Sequence, residues 1–232
     1  LTPYVSAILG GGHRDGELIA IAPGLAPQTP FNDKVTQHRR FAMRSVELDD
    51  VKTVKNAFGI SVNDVVMAMS AGALRQWLID HDALPEVPLV AMIPVSVRDE
   101  ASKSKMGNKV SAMLASLPTH LDDPVRRLTA VHEATKVAKA QQAAIPPGLV
   151  EDVTDFVPPA LVARAARVAS AMGLLRRIPP FNLVISNVPG PNVDAYLGGA
   201  KLIAIYPVSV VTDGQGFNIT VRTAMADRCI SG

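Results

Sequence analysis

Phe181-Asn182-Leu183-Val184-Ile185-Ser186-Asn187-Val188-Pro189-Gly190-Pro191 carries an apolar run straight into a Ser-Asn pair and then into a Pro-Gly-Pro turn. An apolar run of this length, closed by turn residues, reads as a strand buried in a sheet. The prolines remove rotational freedom and backbone donors from the strand end, and Gly190 permits a turn with positive φ. Polar groups at a strand end sit where an α/β sheet usually meets a ligand. Ser186 and Asn187 are therefore candidate binding residues, framed by Val188, Pro189 and Gly190. The same residues read equally as a rigid, strand-terminating turn with no ligand.

Working outward, Lys201 to Val211 and Gly216 to Ala224 have the composition of two further strands, joined through Asp213-Gly214-Gln215-Gly216, an Asp-Gly hairpin signal. Leu89 to Ser96 and Lys109 to Leu117 are strand candidates on the other side, with a loop from Arg98 to Asn108 between them. A strand is also expected over Thr36 to Glu47, with Phe41, Met43 and Ser45 on one face. Between the strands the period changes to that of a helix. Asp49 offers an N-cap and Gly59 a stop for a short helix carrying Val51, Val54, Lys55 and Phe58. Ser61 begins a longer one, in which Val62, Val65, Val66, Met69, Ala73 and Trp77 recur at three- and four-residue spacing. Pro124 to Gln142 places Leu128, Val131, Ala134, Thr135 and Ala138 on one face, and Pro158 to Leu175 is a further alanine-rich helix. Helices interleaved with apolar strands predict an α/β fold: a two-layer mixed sheet with packed helices, mixed because the last strands follow one another through short turns.

The bulk composition excludes several functions. With 23 basic and 21 acidic residues along 232, the chain has no electrostatic footprint for nucleic acid. Cys229 is the only cysteine, which excludes an internal disulfide framework and thiolate metal clusters and fits a reducing, cytoplasmic setting. The longest apolar runs fall well short of the ~20 residues that span a bilayer. Residues 1–35, rich in Gly, Pro and Ala, read as a linker that follows something else, and residues 36–232 as one domain.

Few residues offer chemistry. Asn63 and Asp64 stand where a helix begins, as a capping pair or as residues that hold an active-site loop. Lys103, Lys105 and Lys109 surround Gly107-Asn108, a cluster that reads as a solvated loop or as a seat for the phosphates of a coenzyme A thioester. His13, His38, His81, His120 and His132 are scattered without metal-ligand spacing, and none is assigned as a base. The Gly-x-Ser-x-Gly elbow of α/β hydrolases is absent.

Asn63-Asp64-Val65-Val66, Pro94-Val95-Ser96-Val97-Arg98, Gly107-Asn108, Ser186-Asn187-Val188-Pro189-Gly190-Pro191 and Asp213-Gly214-Gln215-Gly216, in that order, resemble the C-terminal domain of the bacterial wax ester synthase/acyl-CoA:diacylglycerol acyltransferases. The resemblance covers the chain from about Pro27 onward. It implies one half of a fold similar to chloramphenicol acetyltransferase, in which two halves face each other across a tunnel. It also implies an O-acyltransferase that takes a fatty acyl group from acyl-CoA, as substrate and with no cofactor, to diacylglycerol or a long-chain alcohol. The family's catalytic base lies in a His-His-x-x-x-Asp-Gly motif of the N-terminal half. His13-Arg14-Asp15-Gly16 lacks its second histidine and its spacer, so no catalytic residue is expected in this chain.

On this reading Asn63 and Asp64 support the active site. Ser186, Asn187, Val188, Pro189, Gly190, Gly107 and Asn108 bind substrate, and the base arrives with an N-terminal half as partner. The family's closing strand and helix are missing after Gly232. Membrane or lipid-droplet contact is expected to be peripheral, because the acceptors are lipids and no segment spans. Two other readings stay open: a non-catalytic lipid-binding or assembly module, and a condensation-type domain fed by carrier-protein thioesters.

Overall fold

The computed structural model describes residues 26–96, 110–143, 178–190, 196–223 and 228–231. The expected linker up to residue 25, the Arg98–Asn108 loop with Gly107 and Asn108, the Pro158–Leu175 helix and Pro191 lie outside them. In chain order the described elements are β1 (Arg44–Glu47), α1 (Leu48–Phe58), α2 (Val62–Asp80), β2 (Leu89–Ser96), β3 (Val110–Leu117), α3 (Pro124–Ala143), β4 (Leu183–Pro189), the two-residue strands β5 (Tyr196–Leu197) and β6 (Ala200–Lys201), β7 (Asn218–Thr223) and β8 (Arg228–Ser231).

Six strands form one mixed sheet in the order β1-β8-β7-β4-β2-β3. Its centre is parallel, β2 beside β4 and β4 beside β7, and antiparallel pairs β2–β3, β7–β8 and β8–β1 extend it outward. The α/β expectation of a mixed sheet with packed helices is met. Alternation along the strands shows why the helices lie where they do. Leu89, Ala91 and Ile93 of β2, Met113, Ala115 and Leu117 of β3, and Leu183 and Ile185 of β4 are buried with Met67, Ala71, Leu74 and Leu78 of α2 and with Val131 and Ala138 of α3. The two-residue period of the strands and the 3.6-residue period of the helices meet in one apolar layer. A second cluster joins Val51 of α1 and Val65 and Val66 of α2 to Val221 of β7. Each fully buried leucine or methionine of the first cluster contributes about 1.5–3 kcal/mol.

Four expectations change. The strand over Thr36 to Glu47 is confined to 44–47, because its partner β8 opposes Arg44 to Glu47 alone; Phe41 and Met43 are exposed. The N-cap of α1 is Glu47, not Asp49, and Asp49 and Asp50 occupy its first turn, where carboxylates favour the helix dipole. Gly59 does end the helix, with φ at 64°. On α2 Val65 and Val66 of the expected stripe are buried, but burial continues through Met67, Ala71, Leu74 and Leu78, and the expected Met69, Ala73 and Trp77 are exposed. Met69 lies about 200° around the helix from Met67. Finally, Lys201 to Val211 forms no long strand: only Ala200–Lys201 pairs, and Ile203, Val208 and Val210 are 84%, 75% and 85% exposed.

Residues 26–35, counted with the linker on composition, are built into the body. Phe31 is 5% exposed and packs its ring 5.0 Å from those of Trp77 and Phe217. Asn32 donates its side-chain amide to the carbonyls of Phe181 and Gly214. Asn182, fully buried, accepts from the Val90 N–H at 2.8 Å and donates to Pro27 O and Asn32 Oδ1. The two asparagines tie this segment to the beginning of β4, with every bond satisfied inside the core.

Candidate functional site

The first turn of α2 is fixed by its sequence. Ser61 is the N-cap: its side chain accepts from the Asp64 N–H, and the Asp64 carboxylate accepts from the Ser61 N–H, a reciprocal capping box. The expected capping pair of Asn63 and Asp64 is met only in Asp64: both residues stand in the first turn, but the partner in the cap is Ser61, and Asn63 takes no part in it.

Asp64 does more than cap. It is 2% exposed, and two residues of α3 converge on it: Thr135 donates its hydroxyl to Oδ1 at 2.6 Å, and His132 Nδ1 lies 3.0 Å from Oδ2. Burial, the largest influence, pushes the Asp64 pKa up. Hydrogen bonds from Thr135, His132 and Ser61 outweigh it, so the carboxyl sits below the usual aspartate range and is ionised at neutral pH. His132 and Thr135 thus join the first turn of α2 to the middle of α3.

This turn lies at the end of the sheet where the central parallel strands finish. Helix α2 returns to β2 through residues 81–88, so its beginning stands over the strand ends, and Val65 and Val66 pack on Val221. Asn187 of β4 is in register with Val221 and therefore shares the helix-covered face. Its Oδ1 is buried and has no hydrogen-bond partner. Such an acceptor costs about 1–3 kcal/mol unless a donor reaches it. Ser186, one residue earlier, is in register with Thr220 and belongs to the opposite face, as does Val188, in register with Arg222. Ser186 and Asn187 therefore serve opposite sides of the sheet. The β4 strand includes Pro189, and Gly190 follows it.

The structure thus gathers Asp64, His132, Thr135 and the side of β4 that carries Asn187 at one end of the sheet. His132 and Thr135 were not singled out as site residues in the sequence. Thr135 was legible as a polar residue on an apolar helical face, since a buried hydroxyl requires a partner. His132 stands 68 positions from Asp64 and carried no local signal. Among the described residues, no cluster of His, Cys, Asp or Glu can hold a metal ion, and no single helix is long and apolar enough to cross a membrane.

Residues 106–228 match the family model of the WS/DGAT C-terminal domain, and residues 15–66 match that of the wax ester synthase/diacylglycerol acyltransferase catalytic domain. A putative diacylglycerol O-acyltransferase of Mycobacterium tuberculosis is 46% identical over 203 residues, covering 87% of this chain and 44% of that protein. The O-acyltransferase WSD of Acinetobacter baylyi is 38% identical over 198 residues, covering 85% and 42%. Among solved structures, the wax ester synthase/diacylglycerol acyltransferase of Marinobacter aquaeolei VT8 superposes with a TM-score of 0.71 at 37% identity, covering 89% of this chain and 45% of that one. A nonribosomal peptide synthetase, FmoA3, superposes at 0.51 with 15% identity over 90% of this chain and 20% of its own, a likeness of fold alone. The chain spans less than half the length of the relatives it matches.

Proposed function

Since the chain belongs to the wax ester synthase/diacylglycerol acyltransferase family, we propose that it is the C-terminal half of an O-acyltransferase that moves a fatty acyl group from acyl-CoA to diacylglycerol or a long-chain alcohol. The names of its relatives, diacylglycerol O-acyltransferase and wax ester synthase, support this reading. The observation that carries it in this chain is the buried, unpartnered Asn187 acceptor at the strand ends, beside a helix turn held by a buried carboxylate.

In this reading the catalytic base comes from the His-His-x-x-x-Asp-Gly segment of the N-terminal half. It takes the proton of the acceptor hydroxyl as the oxygen attacks the thioester carbonyl; the tetrahedral oxyanion collapses, and coenzyme A leaves as the thiol with that proton. This chain supplies one wall of the tunnel. Asp64 holds the first turn of α2, and Asn63 with it, rigid against α3. Asn187 takes a donor from the bound acyl-CoA or from the facing half, and Ser186, Val188, Pro189 and Gly190 shape the strand end around it. Gly107 and Asn108, with the lysines around them, receive the coenzyme A arm. Exposed Ile203, Val208 and Val210, which a closed domain would cover, fit a surface completed by another half. The enzyme acts in the cytoplasm, in peripheral contact with the membrane's inner face or with lipid inclusions.

The purified chain alone is expected to give no acyl transfer, and co-expression with the half bearing the histidine motif to restore it. Turnover by the chain alone, or none by the pair, rejects the division of labour. In the complete enzyme, Asn187→Ala is expected to raise the acyl-CoA KM about tenfold, the worth of one hydrogen bond to a buried acceptor. Its unfolding temperature should stay unchanged. Parallel loss of stability and activity would make Asn187 a structural turn residue only.

A further inference from the structure

The eleven residues Lys34 to Arg44 contain four formal cations, Lys34, Arg39, Arg40 and Arg44, together with His38 and no acidic residue, in a chain whose charges otherwise nearly balance. Residues 36–43 form no helix or strand, and all of them are exposed. Among the described residues, none of the four cations makes an ion pair, whereas Lys52 of the neighbouring helix is engaged by Asp49 at 3.0 Å. Interleaved with the arginines are Phe41 and Met43, at 49% and 52% exposure. Unpaired arginines alternating with large apolar side chains on an open segment match an anionic bilayer surface. The guanidinium groups meet lipid phosphates, and the apolar groups enter the boundary beneath them. A free anion would use the charges and leave Phe41 and Met43 without a role.

We propose that residues 34–44 dock the enzyme on an anionic lipid surface, with Arg39, Arg40 and Arg44 at the phosphates and Phe41 and Met43 inserted. The inference rests on the acyl-transfer reading only in choosing a lipid as occupant, since the acceptor is itself held in a lipid phase. The segment delivers the enzyme to its substrate and takes no part in the chemistry.

The test is co-sedimentation of the complete enzyme with vesicles of phosphatidylcholine alone and of phosphatidylcholine with about one-third phosphatidylglycerol. Binding to the anionic vesicles is expected to be the tighter and to fall steeply between low and ~0.5 M salt. Each arginine is worth about fivefold, so Arg39→Gln/Arg40→Gln should weaken binding about 25-fold. Phe41→Ser should weaken it about fivefold and leave the salt dependence intact. Transfer to a short water-soluble alcohol should be unchanged in both variants. Equal binding to neutral vesicles, no response to the arginine variant, or matched loss of soluble-alcohol activity would overturn the proposal. A wild-type enzyme that binds anionic vesicles yet transfers no acyl group would uphold it and reject the acyl-transfer reading instead.

Discussion

Asp64→Ala is expected to destabilise the complete enzyme by about 3–5 kcal/mol, the cost of removing one partner from a buried, charge-assisted network. The substitution strips the Ser61 N–H of its acceptor, leaves the Thr135 hydroxyl without the oxygen it reaches at 2.6 Å, and unseats His132. Asp64→Asn separates shape from charge. Its amide oxygen can still accept from the Ser61 N–H, and its NH2 can donate to the Thr135 hydroxyl oxygen, so the loss should be about 1–2 kcal/mol. A pH series discriminates further. The carboxyl pKa is lowered in the folded state, so the charged form contributes stability above the ordinary aspartate value, about 3.9, and loses it as the pH falls through the folded value. Thermal unfolding from pH 7 to 3 should therefore show the wild-type advantage over Asp64→Asn shrinking only below about pH 4. A constant gap would mean that the charge is not what binds α2 to α3.

That network marks where the sequence was and was not legible. Ser61 and Asp64, three apart before an apolar run, announce a helix start by local chemistry, and the structure has the reciprocal cap. Strand β4 was equally plain, since an apolar run closed by Pro-Gly-Pro has few other conformations open to it. Phase on α2 was not. Apolar and small residues surround that helix, so the stripe through Met69 and Trp77 and the stripe through Met67, Leu74 and Leu78 are both hydrophobic, and only the position of the sheet selects the second. The run from Leu202 to Val211 failed for the same reason in another form. Strand propensity reports a side chain that suits a pleated surface, not whether a neighbouring strand exists to pair with. At the site, Asp64 and Asn187 were visible as polar residues at element ends. The partnership of Asp64 with His132 depends on α2 packing beside α3, which no local pattern encodes.

The second large effect is expected at the opposite end of the sheet. Asn182→Ala should cost about 3–5 kcal/mol, because it orphans the buried Val90 N–H, takes the side-chain donor from the half-buried Pro27 carbonyl and leaves Asn32 Oδ1 with the Thr29 hydroxyl alone. Asn182→Asp should be worse despite its matching shape. It replaces an NH2 lying 2.6 Å from Pro27 O and 2.8 Å from Asn32 Oδ1 by an oxygen, setting acceptor against acceptor and burying a charge with no counterion. Asn32→Ala removes the other half of the same lattice, so the double variant should fall short of the sum of the singles by more than about 1 kcal/mol. Additive losses would show the two asparagines to be independent. Because this clamp ties residues 26–35 to the start of β4, while Asn187 lies at that strand's far end, the folded fraction of each variant should keep its kcat. Loss of kcat in proportion to stability would mean that the clamp and the strand ends move as one body.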